Sequence, residues 1–389
     1  MKGRKLLMIP GPVEFDPAVL AAMSEPTESH VSPDFIRSFG RALDMLKQVF
    51  LAPGGQPFVV AGSGTLAMEM AAANLLEPGD KVLVVSAGYF GLRYRDLLAR
   101  CEAQVTCLEA PVGETPGLEQ VEAELRRGGY KLLVATHVDT STAVRTDARR
   151  LAALCRQYGV LFVLDGVAAA AGEELRQEEW GVDLYLTASQ KAIGVPPGLA
   201  LLVAGPRAMQ AYQSRKTAVR GYYLDFANWL PVMQAYQAGQ PAYFGTPPVN
   251  LVRALEVSLE QILAEGMEAR FNRHARLGKA FRAALEALEL RMLPARAELA
   301  ANTLSAIYYP QGVDARLLAE VSRRGAILAG GLLPEIRAQY FRVGHMGASG
   351  TSDLLATLGA LEGGLAALGW KFPAGAGLAA AQQSLLASA

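Results

Sequence analysis

Seven short, mainly apolar runs punctuate positions 56–205, at 58–61, 81–86, 104–108, 131–136, 160–165, 183–187 and 198–204. Most of them do not alternate with polar residues, as strands with one wet face would. A strand apolar on both sides needs cover on both faces. The stretches between them, at 66–76, 94–100, 117–127 and 146–158, carry helical spacing and supply that cover. The alternation restricts the chain to an α/β fold built on a seven-stranded, mostly parallel sheet. Ligands of such sheets bind beyond the carboxyl ends of the strands, so the chemistry is to be sought just after these runs.

The chain is long for one domain, at 389 residues. After an irregular stretch at 206–240, with a helix-like piece at 207–214 and the aromatics Tyr222, Tyr223, Phe226 and Trp229, a long helical region covers 249–288, with a break at Gly266. Strand-like 304–309 and 340–344 then mix with helix-like 315–324 and 351–368. This predicts an N-terminal segment over 1–20 that contributes to the active-site region, a large domain over 21–274, a smaller C-terminal α+β domain over 275–370, and a tail over 371–389 that is a frayed helix or disordered. Lys+Arg and Asp+Glu both total 37, a balance that argues against a nucleic-acid or anionic-membrane partner. The most hydrophobic stretch, 182–204, is broken by Lys191, Pro196 and Pro197, so no span is expected. The apolar run at 6–9 is too short for a signal-peptide core, and a cytoplasmic chain is expected. Cys101, Cys107 and Cys155 show no metal-ligand spacing and suit reduced thiols.

Two polar residues close strand-like runs. Asp165 ends the run at 160–165, and Lys191 follows the run at 183–187. An amine and an acid at neighbouring strand ends suit the two ends of one flat cofactor. Pyridoxal phosphate needs that pair: the amine joins its aldehyde as a Schiff base, and the carboxylate keeps its ring nitrogen protonated. Gly62-Ser63-Gly64-Thr65, between a strand and a helix, suits a phosphate on free amides at a helix start. Gly62-x-Gly64-x-x-Ala67 also meets the relaxed dinucleotide fingerprint. The next run, however, ends Val84-Val85-Ser86-Ala87 without the acid that would hold a ribose, which disfavours a nicotinamide-dependent oxidoreductase. Phe90 follows that same run and suits a stacked ring.

Pro10-Gly11-Pro12, Gly62-Ser63-Gly64-Thr65, the stretch from Thr136 to Thr142, Val163-Leu164-Asp165-Gly166-Val167, Ser189-Gln190-Lys191-Ala192, Pro196-Pro197-Gly198 and the stretch from Tyr243 to Pro248 occur in order along the chain. From about Leu7 to Gly369 the sequence resembles the class V aminotransferase group of fold-type I pyridoxal-phosphate enzymes. It is most similar there to alanine–glyoxylate and serine–pyruvate or serine–glyoxylate aminotransferases. The resemblance implies that Lys191 and Asp165 are catalytic, and that Ser63, Gly64, Thr65 and Gln190 hold the cofactor phosphate. It implies Thr140 near the ring hydroxyl, with Phe90 and Val167 on the two ring faces. Tyr243 and Thr246 would reach the phosphate of a second subunit, making a homodimer with shared sites. Arg342 would bind the substrate carboxylate, with Gly11 beside the substrate.

The implied reaction moves an amino group from a small amino acid, alanine or serine, to a 2-oxo acid such as glyoxylate or pyruvate. Val138 and Ala143 replace glycines common in relatives, and Thr65 and Phe90 replace the His and Trp of some members. These changes affect pocket shape more than cofactor chemistry. Phosphoserine, aminoethylphosphonate or kynurenine-type substrates remain alternatives on the same fold. Desulfuration does not fit, because no Cys lies beyond position 155.

Overall fold

The computed structural model describes residues 5–387. Its main sheet has seven strands: β1 (Gln56–Ala61), β2 (Lys81–Ser86), β3 (Gln104–Glu109), β4 (Tyr130–Thr136), β5 (Leu161–Asp165), β6 (Leu184–Ala188) and β7 (Leu199–Ala204). Their order across the sheet is β1-β7-β6-β5-β4-β2-β3. All run parallel except β7, which pairs antiparallel with both β1 and β6. The connection from β6 to β7 carries no crossover helix, so the chain can only return alongside in the opposite direction. Lys191 lies in that return.

Every residue of β5, β6 and β7 is buried, which is the physical reason for their unbroken apolar character. Helices α1 (Gly64–Leu75) and α2 (Tyr89–Arg100) follow β1 and β2. Both begin earlier than the sequence spacing suggests, α1 by two residues and α2 by five. Gly88 and Gly91 obscure the start of α2, and the shift moves Phe90 from a loop into the first helical turn. Two helices in the unassigned N-terminal stretch, Pro17–Ser24 and Pro33–Val49, each start on a proline behind an Asp or Ser cap. The stretch at 206–240 is more regular than its sequence suggests. It contains the helix Phe226–Gln237, which tolerates Pro231 because Phe226, Trp229, Met233 and Tyr236 anchor it in the core.

A three-stranded antiparallel sheet forms the C-terminal part, from β8 (Leu304–Tyr308), β9 (Ala329–Gly330) and β10 (Tyr340–Gly344), with β10 in the middle. Helix α3 (Met267–Ala287) joins the two larger of three apolar cores: Met267 and Phe271 pack into the first, Leu277, Phe281 and Leu285 into the second. The tail forms the helix Ala376–Leu386 with Ala381 and Leu385 buried in the second core, so it is neither frayed nor disordered there. The N-terminal segment threads between the two parts. Gly344 donates its amide to Met8 O at 2.9 Å, and Val13 donates to Gln190 O at 3.1 Å. Among the described residues no helix is long and apolar enough to cross a membrane.

The turn after β5 leaves no room for a side chain. A Cβ on Gly166 would fall 2.0 Å from Cζ of Tyr185, whose ring is fully buried and packs edge-on against Phe50. Gly166→Ala must displace that ring. Urea denaturation should show a loss of about 1–3 kcal/mol, the usual cost of overpacking a tight core; an unchanged midpoint would contradict the packing described.

Candidate active site

Five loops leave the carboxyl edge of the sheet, after β1, β2, β4, β5 and β6, and enclose one cavity of about 220 Å³. After β1 come Ser63, Gly64 and Thr65; after β2, Phe90; after β4, Val138 and Thr140. The loop after β5 brings Asp165 and Val167, and the loop after β6 brings Gln190 and Lys191. Residues from Ser63 to Lys191 are thus gathered by topology alone, because parallel strands point their ends the same way.

At one end of the cavity Asp165 closes β5, buried, with the Val167 amide donating to its Oδ1 at 2.9 Å. Burial pushes its carboxyl up to about 7; the Val167 amide pulls the other way, Asp139 adds to the rise, and the charges of Lys191 and Arg93 oppose it. Lys191 is 8% exposed, and its ammonium donates to the carbonyl of Pro10. Burial draws that amine down to about 8; the charge of Arg342 acts in the same direction and Asp165 opposes it. Gly11 is pressed against this side chain: a Cβ there would sit 2.6 Å from Lys191 Nζ.

Helix α1 meets the cavity with its N-terminus. Ser63 is the cap residue in extended backbone, yet its hydroxyl makes no capping bond to the first turn. The first-turn amides and the helix dipole are therefore available to an anion. A Cβ on Gly64 would lie 2.8 Å from Val167 Cγ2, so the helix start and the loop after β5 close on each other. This set fits pyridoxal phosphate: an uncapped helix start for the phosphate, a buried acid, a desolvated amine and an aromatic wall in one cavity. Among the described residues no group of three His, Cys, Asp or Glu is placed to hold a metal.

Arg342 does not line the cavity. It sits on β10, donating from Nε to Gly330 O at 2.9 Å and from Nη1 to Thr140 O at 3.1 Å, close enough for its charge to act on Lys191. Tyr243 and Thr246 are exposed and lie outside this chain's cavity. Two lining residues carry no signal in the sequence reading, Met68 and Arg93, and Val138 figures there only as a replaced glycine. The Arg93 guanidinium lies 4.8 Å from the Phe90 ring centroid and 5.0 Å from that of Tyr89. A helix start at Tyr89 would have revealed it, since Arg93 then falls one turn beyond Phe90.

The chain is similar to known proteins over most of its length. The family model described as aminotransferase class-V matches residues 21–332. Alanine–glyoxylate aminotransferase 1 of Saccharomyces cerevisiae is 38% identical over 354 residues, covering 88% of this chain and 91% of that protein. L-aspartate–glyoxylate aminotransferase of Paracoccus denitrificans is 34% identical, covering 98% and 96%. The crystal structure of an alanine–glyoxylate aminotransferase from Nostoc superposes with a TM-score of 0.88 at 32% identity, covering 94% of this chain and 96% of that one. A nicotinamide reading of Gly62-x-Gly64-x-x-Ala67 has no place beside these matches. The chain belongs to the class-V aminotransferase family of pyridoxal-phosphate-dependent transaminases.

Proposed function

We propose that this chain moves the amino group of a small donor, alanine or serine, to glyoxylate or pyruvate, as a cytoplasmic homodimer. The observation that carries the reading is the placement of Lys191 and Asp165 in one buried cavity beside an uncapped helix start. Glyoxylate as acceptor is supported by the names of the yeast, Paracoccus and Nostoc relatives. Small donors are supported by the closeness of Gly11 to Lys191.

Pyridoxal phosphate, when bound, would supply an electron sink that acidifies the hydrogen on the substrate's α-carbon. Lys191, desolvated and drawn toward neutrality, accepts and returns that proton at Nζ. Asp165 holds a proton at the ring nitrogen, an arrangement in which two buried charges of opposite sign relieve each other. Ser63, Gly64, Thr65 and Gln190 would hold the phosphate, Thr140 would lie near the ring hydroxyl, and Phe90 and Val167 would flank the ring; all line the one cavity. Arg342 keeps its Nη2 without a hydrogen bond among the described residues, which suits a substrate carboxylate. The exposed Tyr243 and Thr246 serve the site of a second copy. Exposed Tyr222 and Tyr223 on the same aromatic stretch support a dimer face there.

Mixing the loaded enzyme with single amino acids and following loss of the cofactor's visible band tests the donor. Alanine or serine should react fastest, and a faster reaction with aspartate would overturn the small-donor reading. Arg342→Leu should lower kcat/KM for the donor on the order of a hundredfold, mainly through KM, with cofactor binding retained; an unchanged KM would remove Arg342 from substrate binding.

Asp165 also leaves a mark on stability. Its folded carboxyl titrates near 7 rather than near 3.8, so the unfolded chain releases its proton first as pH rises. Between those values the unfolded state holds fewer protons, and stability must fall with rising pH. In cofactor-free protein, Asp165→Asn should therefore melt increasingly above wild type from about pH 4, the difference levelling off above about pH 7. A difference independent of pH would contradict the buried acid.

A further inference from the structure

Asp139, which the reaction described above does not use, is fully buried and accepts four hydrogen bonds. Its Oδ2 receives the amides of Phe90 at 2.9 Å and Gly91 at 3.2 Å, in the first turn of α2. Its Oδ1 receives the amide of Ser141 at 2.9 Å and the Ser141 hydroxyl at 2.6 Å. Those four donors occupy the four acceptor directions of a carboxylate; burial raises its carboxyl above the usual value, and the bonds from Ser141, Gly91 and Phe90 act against that rise. Ser141 extends the staple, because its Oγ accepts the Tyr89 amide at 3.1 Å. No side chain intrudes at Gly88, where a Cβ would fall 2.6 Å from Ser141 Oγ and 2.8 Å from Asp139 Cγ.

The same peptide faces the C-terminal sheet. Ser141 O accepts the Tyr340 hydroxyl at 2.7 Å, and Thr140 O accepts Arg342 Nη1 at 3.1 Å. Tyr340 and Arg342 lie on β10 two residues apart, hence on one face of the strand. An unbroken chain of bonds therefore runs from the ring wall at Phe90, through Asp139 and the Thr140–Ser141 backbone, to the arginine on β10.

We propose that Asp139 is the positioning residue that locks the stacking wall at Phe90 and the carboxylate anchor at Arg342 into one fixed geometry. The proposal rests on the roles given to Phe90 and Arg342 under Proposed function. A remote helix cap would stabilise α2 alone. A positioning residue also decides where the ring and the substrate carboxylate sit relative to each other, and small misplacements at such sites are costly.

The test uses the loaded enzyme carrying Asp139→Asn, Phe90→Ala and both together, with circular dichroism of the cofactor's visible band as a readout besides turnover. The Asp139→Asn change keeps the size of the side chain but sets an N–H donor against backbone donors on one side. It should alter the band's ellipticity and lower kcat/KM by about tenfold to a hundredfold. Its effect should shrink in the Phe90→Ala background, leaving the part that acts through Arg342, the signature of coupled residues. A variant that only melts earlier, with ellipticity and kcat/KM unchanged, overturns the proposal, and so do fully additive effects. Should Asp139→Asn fail to fold, Ser141→Ala keeps the carboxylate and removes the hydroxyl with its two bonds, to Asp139 and from the Tyr89 amide. It should shift the ellipticity in the same direction, and an unchanged band in folded protein overturns the proposal equally. Absence of any effect from Phe90→Ala and Arg342→Leu alone would instead strike the roles assigned to those residues.

Discussion

Burying an amine and a carboxyl in one cavity is the constraint around which the rest of this protein is arranged. Each loses its hydration there, and each responds by moving toward its neutral form, Asp165 up to about 7 and Lys191 down to about 8. A group with a basic ring nitrogen, an aldehyde and a phosphate answers all three demands of the cavity: it gives the acid a partner, takes up the amine, and fills the uncapped start of α1. The parallel sheet makes this possible, because its strands end on one edge and their apolar bodies supply the core that holds charged ends in place.

The second constraint is the junction between the two parts of the chain. Arg342 is carried by the C-terminal sheet, whereas the cavity belongs to the main one. The junction has a small apolar cluster of its own, where Ala168, Ala169 and Ala192 meet Leu304, Ala306 and Met346. Polar contacts add to it: the N-terminal segment bonds Gly344 through Met8 and Gln190 through Val13, and Arg342 and Tyr340 reach the carbonyls of Thr140 and Ser141. Arg270 adds a buried clasp, donating to Ala171 O at 2.8 Å and to Ala192 O at 2.7 Å, one on each of the loops that bear Asp165 and Lys191.

Much of this is legible in the residues. All seven strands of the main sheet can be placed from their apolar runs, because burial on both faces leaves a signal that few other elements give. Asp165 stands out because it ends an otherwise apolar run, and Lys191 because it follows one closely. What escapes is set by tertiary context. The start of α2 is hidden by two glycines whose lack of a side chain is explained only by the approach of Ser86, Asp139 and Ser141. Arg93 is hidden with it. The helix Phe226–Gln237 is masked by Pro231, and the C-terminal helix by a composition of Ala, Gly and Gln that becomes ordered through burial of Ala381 and Leu385. Asp139 reads as one polar residue among several in its loop, since nothing local reveals that its partners lie in another helix.

The most direct measurement is to load the protein with pyridoxal phosphate, fix the covalent link with borohydride, and map the modified peptide by mass spectrometry. The account predicts a single cofactor-derived mass on Lys191. A label on another lysine, or none at all, would contradict it.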